Sequence, residues 1–329
     1  MSQLLLDRVE AALGKGEQVI LFLNRRGYAP VLSCFSCGWL SDCPRCDARQ
    51  TLHKFSGLLW CHHCGAQRPL PRSCPACGAE DLHPLGQGTE QLEGFLAKRF
   101  PDYPLIRVDR DATARKGSLE ALLERLHAAE AALLVGTQML AKGHHFPRVT
   151  LVGVLDADGG LYSADFRATE RMAQLLVQVA GRAGRGDRPG RVLIQTRYPD
   201  HPLLQTLVRK GYRAFAEQAL LERRAAARPP FSHQALMRAD ATRQEYARAL
   251  LEQVVERAAA LGVEGVEMWG PVPAPMARRA GRHRVHLLFQ ANRREALHAL
   301  LQRLPAEIAD MGAAQRVRWS LDVDPVDLY

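Results

Sequence analysis

Eight cysteines fall between positions 34 and 77, and each belongs to a Cys-x-x-Cys pair: Cys34/Cys37, Cys43/Cys46, Cys61/Cys64 and Cys74/Cys77. They are all the cysteines of the 329-residue chain. Two thiolates three positions apart on a tight turn can face one tetrahedral ion at about 2.3 Å. A disulfide framework does not need that spacing. Met1 to Gln18 reads as an amphipathic helix carrying Asp7 and Glu10, without the apolar stretch of a secretory signal. Glycine follows three of the pairs, at Gly38, Gly65 and Gly78, where a knuckle turn needs positive φ, and Pro44 and Pro75 stiffen two of them. The pattern predicts two structural Zn2+ ions, each held by four thiolates. A catalytic zinc would keep an open position, usually with a His or carboxylate ligand. His62 and His63 sit inside a knuckle whose cysteines already suffice.

Four knuckles allow three pairings into two sites. Knuckles one and two are close in sequence, which is short for folding one back onto the other. Knuckles two and three flank Gln50–Lys54 and Gly57–Trp60, which read as two strands of a hairpin with near zinc-ribbon spacing. Closing that inner ribbon brings the outer knuckles together. The favoured arrangement is nested: Cys34, Cys37, Cys74 and Cys77 on one ion, and Cys43, Cys46, Cys61 and Cys64 on the other.

Taken whole, the chain has the composition of a soluble globular protein, 47% hydrophobic and 24% charged, without the apolar run a membrane span needs. A cytoplasmic location is the default expectation. Formal charge is +9, much of it arginine. The guanidinium fork suits phosphate-bearing partners, although a GC-rich genome also raises Arg and Ala content. Short apolar runs alternate with helical patterns to about residue 210. Strands are expected at Val19–Leu23, Leu105–Val108, Ala132–Val135, Val149–Leu155 and Arg191–Thr196. Helices are expected at Thr89–Phe100, about Ser118–Ala129, Gln138–Lys142 and about Ala168–Ala180. Near-continuous apolar strands between helices predict an α/β lobe with a parallel sheet covered on both faces, whose ligands would lie beyond the carboxyl ends of the strands.

Three stretches at element boundaries carry chemistry. Asn24-Arg25-Arg26-Gly27 follows the first strand. Gly136-Thr137-Gln138-Met139, running on to Lys142 and Gly143, follows another and offers backbone amides, a hydroxyl and an amine. Gln178-Val179-Ala180-Gly181-Arg182-Ala183-Gly184-Arg185 ends a helix and presents two arginines three positions apart, which can converge on one phosphate group. A solvated basic turn would explain the last stretch alone. The three together, in this order, are harder to obtain by chance.

The last two stretches resemble, in that order, the fifth and sixth signature motifs of superfamily 2 helicases. Together with Asn24–Gly27, the four knuckles and Asp165-Phe166-Arg167, they resemble the primosomal protein N′ family of replication-restart DNA helicases. The resemblance covers essentially the whole chain, including Arg228-Pro229-Pro230-Phe231, Gly270-Pro271 and Asp322-Val323-Asp324-Pro325. It implies the nested zinc pairing and a RecA-like second motor lobe (1–30 and 83–227, with a helical connector at about His201–Ala227) around the inserted zinc module (31–82). It also implies that Arg185 is the arginine finger, Arg182 its neighbour on the γ-phosphate, and Gln178 and Gly143 further nucleotide contacts. Asn24, Arg25, Arg26, Thr137 and Lys142 would hold DNA. Asp156 and Asp158 are candidates for coupling or equally for helix capping. The implied activity is ATP-dependent 3′-to-5′ unwinding at stalled or repaired forks. The implied partners are forked and single-stranded DNA, primosome assembly proteins and single-strand DNA-binding protein.

No G-x-x-x-x-G-K-[ST] loop and no Asp-Glu-x-His box occurs in the sequence. ATP with Mg2+ would therefore bind only with a first motor lobe that this chain lacks. Met1-Ser2 opening at the second lobe predicts an excised segment or truncated gene product, inactive alone. The alternative class is a zinc-containing DNA- and protein-binding scaffold without ATPase activity; an unrelated zinc-ribbon RNA-binding protein is more distant. Residues 228–329 read strand, helix, strand, strand, helix, strand, at Gln234–Ala239, Arg243–Leu261, Val266–Trp269, Arg284–Gln290, Arg293–Ala309 and Val317–Leu321. That order predicts a ferredoxin-like α+β carboxy-terminal domain. The loop from Pro271 to His283 carries Arg278, Arg279 and Arg282 and is either a DNA-backbone contact or merely solvated. No coiled-coil heptads occur, so a monomer is expected.

Overall fold

The computed structural model describes residues 1–23, 31–53, 56–85, 89–108, 118–137, 146, 148–155, 157–158, 166–184 and 188–328. In chain order, helix α1 (Gln3–Leu13) and strand β1 (Gln18–Leu23) precede five short strands: β2 (Val31–Cys34), β3 (Thr51–His53), β4 (Leu58–Trp60), β5 (Gln67–Pro69) and β6 (Leu82–Leu85). Then come α2 (Thr89–Arg99), β7 (Leu105–Val108), α3 (Ser118–Ala128), β8 (Ala132–Gly136), β9 (Val149–Leu155), α4 (Ala168–Ala180) and β10 (Arg191–Ile194). Helix α5 (Pro202–Ala225) is two helices joined at Gly211, where φ is 81°. The last segment is β11 (His233–Ala241), α6 (Gln244–Ala260), β12 (Val266–Arg279), β13 (Arg282–Ala291), α7 (Arg294–Ala309), a 3-10 turn and β14 (Arg318–Val323). The chain divides into two compact units, residues 1–29 with 86–219, and residues 30–85 with 220–329.

The first unit is a parallel sheet in the order β10-β9-β1-β8-β7. Strands β1, β8 and β9 are buried at every position, as central strands covered on both faces must be. The two-residue alternation sorts their side chains. Val19, Leu21, Leu133, Val135 and Leu151 pack with Leu5 and Val9 of α1 and Leu96 of α2. Ile20, Phe22, Leu134, Val152 and Val154 pack on the other face with Leu126 of α3, Met172 and Leu176 of α4, and Leu204 and Phe215 of α5. Buried Gln18 donates from Nε2 to the Leu126 and Ala129 carbonyls at 2.9 Å each, satisfying the open end of α3.

The second unit holds two sheets. The cysteine-rich sheet runs β5-β4-β3-β2-β6 and is antiparallel, around a small cluster of Leu32, Leu52 and Leu59. Strands β3 and β4 are the expected hairpin; β2, β5 and β6 extend it as strands that the sequence reading did not place. The other sheet is antiparallel in the order β12-β13-β11-β14. One face packs Met237, Leu287 and Phe289 against Leu250, Val254, Leu297 and Leu304 of α6 and α7.

One expectation needs correction. The segment Pro271 to His283 is not a loop, because β12 continues to Arg279 and β13 begins at Arg282. Prolines interrupt a strand when its N–H groups are needed by two neighbours. Strand β12 lies at the sheet edge and its pairing shifts register twice, between Trp269 and Val272 and between Pro273 and Arg278, which accommodates them. No described helix is long and apolar enough to cross a membrane.

Candidate metal centre

The eight thiols gather into two groups, Cys34/Cys37/Cys74/Cys77 and Cys43/Cys46/Cys61/Cys64, with the sulfur atoms of each group within 4.8 Å of one another. Four sulfurs placed about 2.3 Å from a tetrahedral ion lie roughly 3.8 Å apart. The Sγ–Sγ separations of Cys34–Cys77, Cys37–Cys74 and Cys43–Cys64 are 3.7 Å each. Electrostatics favour the same reading. Burial pushes the Cys46 thiol up to about 12 against the opposing N–H of Ala280, and the charges of Cys61 and Cys43 add to it. Burial also raises Cys64, but the Ala66 N–H and the surrounding thiols bring it down to about 7. Four sulfurs this close become thiolates together only when a cation offsets their repulsion. Two four-thiolate sites therefore fit two structural zinc ions, and the small apolar cluster beside them is what a metal-dependent module can afford.

Each knuckle is built from backbone. The first cysteine of every pair donates N–H to the carbonyl five residues on: Cys34 to Trp39, Cys43 to Ala48, Cys61 to Ala66 and Cys74 to Ala79, each at 2.8 Å. In three knuckles the glycine after the pair, at φ 75–77°, returns its N–H to the first cysteine's carbonyl at 2.8–2.9 Å. The second knuckle has Asp47 there instead. Its N–H goes to the Arg278 carbonyl at 3.0 Å, at the far end of β12. The Arg278 N–H answers Asp47 Oδ2 at 2.5 Å, Gly281 N–H donates to the Arg45 carbonyl at 2.8 Å, and Ala280 N–H donates to Cys46 Sγ at 3.2 Å. The tip of the β12–β13 hairpin thus closes the inner metal site and supplies an N–H to one thiolate. Sequence reasoning missed Asp47 and Ala280. The missing glycine after Cys46 was the available signal.

The same docking places the three arginines expected on a loop. Arg278 faces Asp47 at 3.7 Å, and Arg279 Nε donates to the His63 carbonyl at 3.3 Å. Arg282 binds the carboxylate and carbonyl of Asp240. In the first unit, Thr137 follows the carboxyl end of β8 and is half-buried. The Gly181–Gly184 turn lies at the opposite end of the sheet, where Gly184 N–H donates to the Val149 carbonyl at 2.9 Å. Thr137 obeys the carboxyl-end rule for parallel sheets, whereas Arg182 and exposed Gln178 do not, because α4 runs back along the sheet before the motif begins. Arg182 is 8% exposed, its backbone held to Val179 at 3.0 Å. Gly184 has φ 72°, and a Cβ there would lie 2.4 Å from the Gly190 nitrogen. The motif's second glycine therefore serves a backbone crossing. Asp158 accepts from the Thr196 hydroxyl and from the Arg197 N–H at 3.1 Å, ordering the turn after β10. Asn24, Arg25, Arg26, Lys142, Gly143, Asp156, Asp165 and Arg185 lie outside the described residues, as does the expected Gln138–Lys142 helix.

Two family models match. One, described as the PriA DNA helicase Cys-rich region domain, covers residues 43–69. The other, described as the primosomal protein N C-terminal domain, covers residues 224–326. Among curated proteins, the chain is 49% identical over 328 residues to the replication restart protein PriA of Haemophilus influenzae, covering 100% of the chain and 45% of that protein. It is 38% identical over 323 residues to its Bacillus subtilis counterpart, covering 98% of the chain and 40% of that protein. The Synechocystis counterpart is 39% identical over 328 residues, with 97% and 39% covered. The chain thus spans less than half the length of these relatives.

Proposed function

The chain belongs to the PriA family of replication restart proteins, carrying its Cys-rich region and C-terminal domain, and on that premise we propose that it forms the second half of an ATP-driven 3′-to-5′ DNA helicase acting at stalled or repaired forks. The observation that carries the reading is the pairing of two four-cysteine clusters with a parallel α/β sheet and a Gln178–Arg185 sequence motif, within one chain matched end to end by restart proteins.

Residues 1–30 and 83–227 form a RecA-like second motor lobe, 31–82 the zinc module, and 228–329 a ferredoxin-like DNA-binding domain, a reading supported by its sheet order. Arg185 acts as the arginine finger, with Arg182, Gln178 and Gly143 on the nucleotide. Cationic groups of this kind stabilise phosphoryl transfer by several kcal/mol, about 10³–10⁵ in rate. Asn24, Arg25, Arg26, Thr137 and Lys142 hold the DNA backbone. The two zinc ions are structural, held by the cysteine groups above. Primosome assembly proteins and single-strand DNA-binding protein are the protein partners.

The ATP cradle belongs to the first lobe, since no Gly-x-x-x-x-Gly-Lys-Ser/Thr loop occurs in this sequence. The chain alone is expected to hydrolyse no ATP. A steady-state ATPase assay with forked DNA tests this, and robust turnover would refute it. A chain that binds forked DNA without turnover behaves as the zinc-containing scaffold that is the second reading, favoured by the shared unit of zinc module and C-terminal domain.

A further inference from the structure

Beyond the two cysteine clusters, we infer that His53 and His62 form a third, exchangeable metal site on the β3–β4 hairpin, suited to a divalent ion of the zinc, nickel or copper class. The two imidazoles turn the same nitrogen toward each other, Nε2 to Nε2 at 3.2 Å. Neither residue belongs to the four-thiolate groups, whose ligand sets are complete without them. The inference goes beyond the helicase reading and does not depend on it.

Strand register explains how the two rings meet. His53 ends β3 opposite Leu58 of β4, and Thr51 lies opposite Trp60. Side chains alternate along each strand, so His53 and Trp60 share one face of the hairpin. His62, two residues past Trp60, continues that face. The Trp60 ring packs against both: it lies 5.2 Å from the His62 ring, 29° from parallel, and 5.4 Å from the His53 ring. His53 is half-buried and His62 is exposed. Between Trp60 and His62, Cys61 fixes the end of the hairpin, its N–H bonded to the Ala66 carbonyl at 2.8 Å in the third knuckle. Both rings are thus placed before an ion arrives, which removes much of the ordering cost from binding.

The spacing fits chelation. Two nitrogens about 2.0–2.1 Å from one ion lie roughly 3.3–3.4 Å apart at a tetrahedral angle and about 2.8–3.0 Å apart at a right angle. The observed 3.2 Å falls between these, so either geometry needs little ring movement. As neutral rings without an ion, the pair shares one proton between the two Nε2 atoms. When an ion binds, that proton moves to Nδ1 of its own ring, and both Nε2 lone pairs face the metal with no net proton release. Imidazole nitrogen selects zinc, nickel or copper over magnesium and calcium, which take oxygen ligands. With two protein ligands the remaining positions belong to solvent. A four-thiolate shell is closed and retains its ion, whereas this one is open and exchanges.

The test takes the chain with both cysteine clusters loaded, strips loose metal on a chelating resin, and titrates Zn2+ by calorimetry. One further ion is expected, with the Nε2 signals of His53 and His62 shifting in long-range 1H–15N spectra. His53→Gln and His62→Gln should each weaken that event about tenfold or more, since each removes half of a chelate. His298→Gln, at an exposed position of α7, controls for stray imidazole binding and should leave it unchanged. Mg2+ should shift neither signal. Metal content and thiol protection confirm that each variant keeps both cysteine clusters; if one does not, the Nε2 shifts of the parent chain decide alone. A third ion that survives both substitutions, or that leaves the two Nε2 signals in place, is adventitious and overturns the site. So does the absence of any third ion at submillimolar Zn2+.

Discussion

Replacing Asp47 with Ala should loosen the inner metal site and leave the outer one intact. Asp47 grips the β12–β13 tip through Arg278 N–H at 2.5 Å and the Arg278 guanidinium at 3.7 Å, beside a longer bond from the Arg45 guanidinium to the Ala280 carbonyl at 3.4 Å. A hydrogen bond to a carboxylate contributes about 1.5–3 kcal/mol. The flanking ion pair is 39% and 44% exposed and adds at most a few tenths after solvent screening. Discounting the first for the same exposure leaves about 1–2 kcal/mol, or roughly 5- to 30-fold in the undocking equilibrium. Three backbone bonds survive the substitution, including Ala280 N–H to Cys46 Sγ at 3.2 Å, so the hairpin should open more often without staying open. Chelator challenge with alkylation of released thiols, mapped by mass spectrometry, reads both sites at once. Cys43, Cys46, Cys61 and Cys64 should be modified several-fold faster than in the parent, with Cys34, Cys37, Cys74 and Cys77 unchanged as internal control. Amide exchange at Ala280 and Gly281 should accelerate in parallel. Unchanged exchange, or equal acceleration at both sites, would refute the idea that the hairpin seals the inner site.

Gly190→Ala should destabilise the first unit by about 2–4 kcal/mol in denaturant melts, because the new Cβ would lie 2.3 Å from the Ala183 carbonyl carbon, backbone that has no rotamer to give way. Ala280→Asn should stabilise the second unit by roughly 0.5–1 kcal/mol, since Ala280 at φ 52° precedes Gly281 at φ 79° in a turn that favours Asn-Gly; no gain in melting temperature would count against this. His286 titrates in the unfolded chain near 6.5 and in the fold at about 4, so the unfolded state binds the extra proton between those values. Its contribution is complete above about pH 6.5 and is lost as pH falls to about 4, up to roughly 3 kcal/mol. His286→Gln should flatten that limb of the stability profile, and an unchanged limb would exclude His286 as its source.

The elements legible in the sequence are those whose signal is local. Helix α4 and strands β1, β8 and β9 have a full apolar period or a continuous apolar run, and a sheet covered on both faces follows from them. The cysteine groups were legible because knuckle spacing, hairpin length and tetrahedral geometry restrict one another. The prolines of β12 misled, because they mark a loop only where the strand needs its N–H groups on both sides. The docking of Arg278 on Asp47 spans 231 positions and has no periodic signature, yet it left a trace. A knuckle without its glycine lacks the left-handed turn that returns that N–H to the first cysteine's carbonyl, and the Asp47 N–H bonds the Arg278 carbonyl instead. The acceptor is the hairpin, which is why the zinc module, inserted in the first unit's sequence, folds as part of the second. If so, stripping zinc should release the β12–β13 tip and speed amide exchange at Ala280 and Gly281 while the domain's own sheet stays folded.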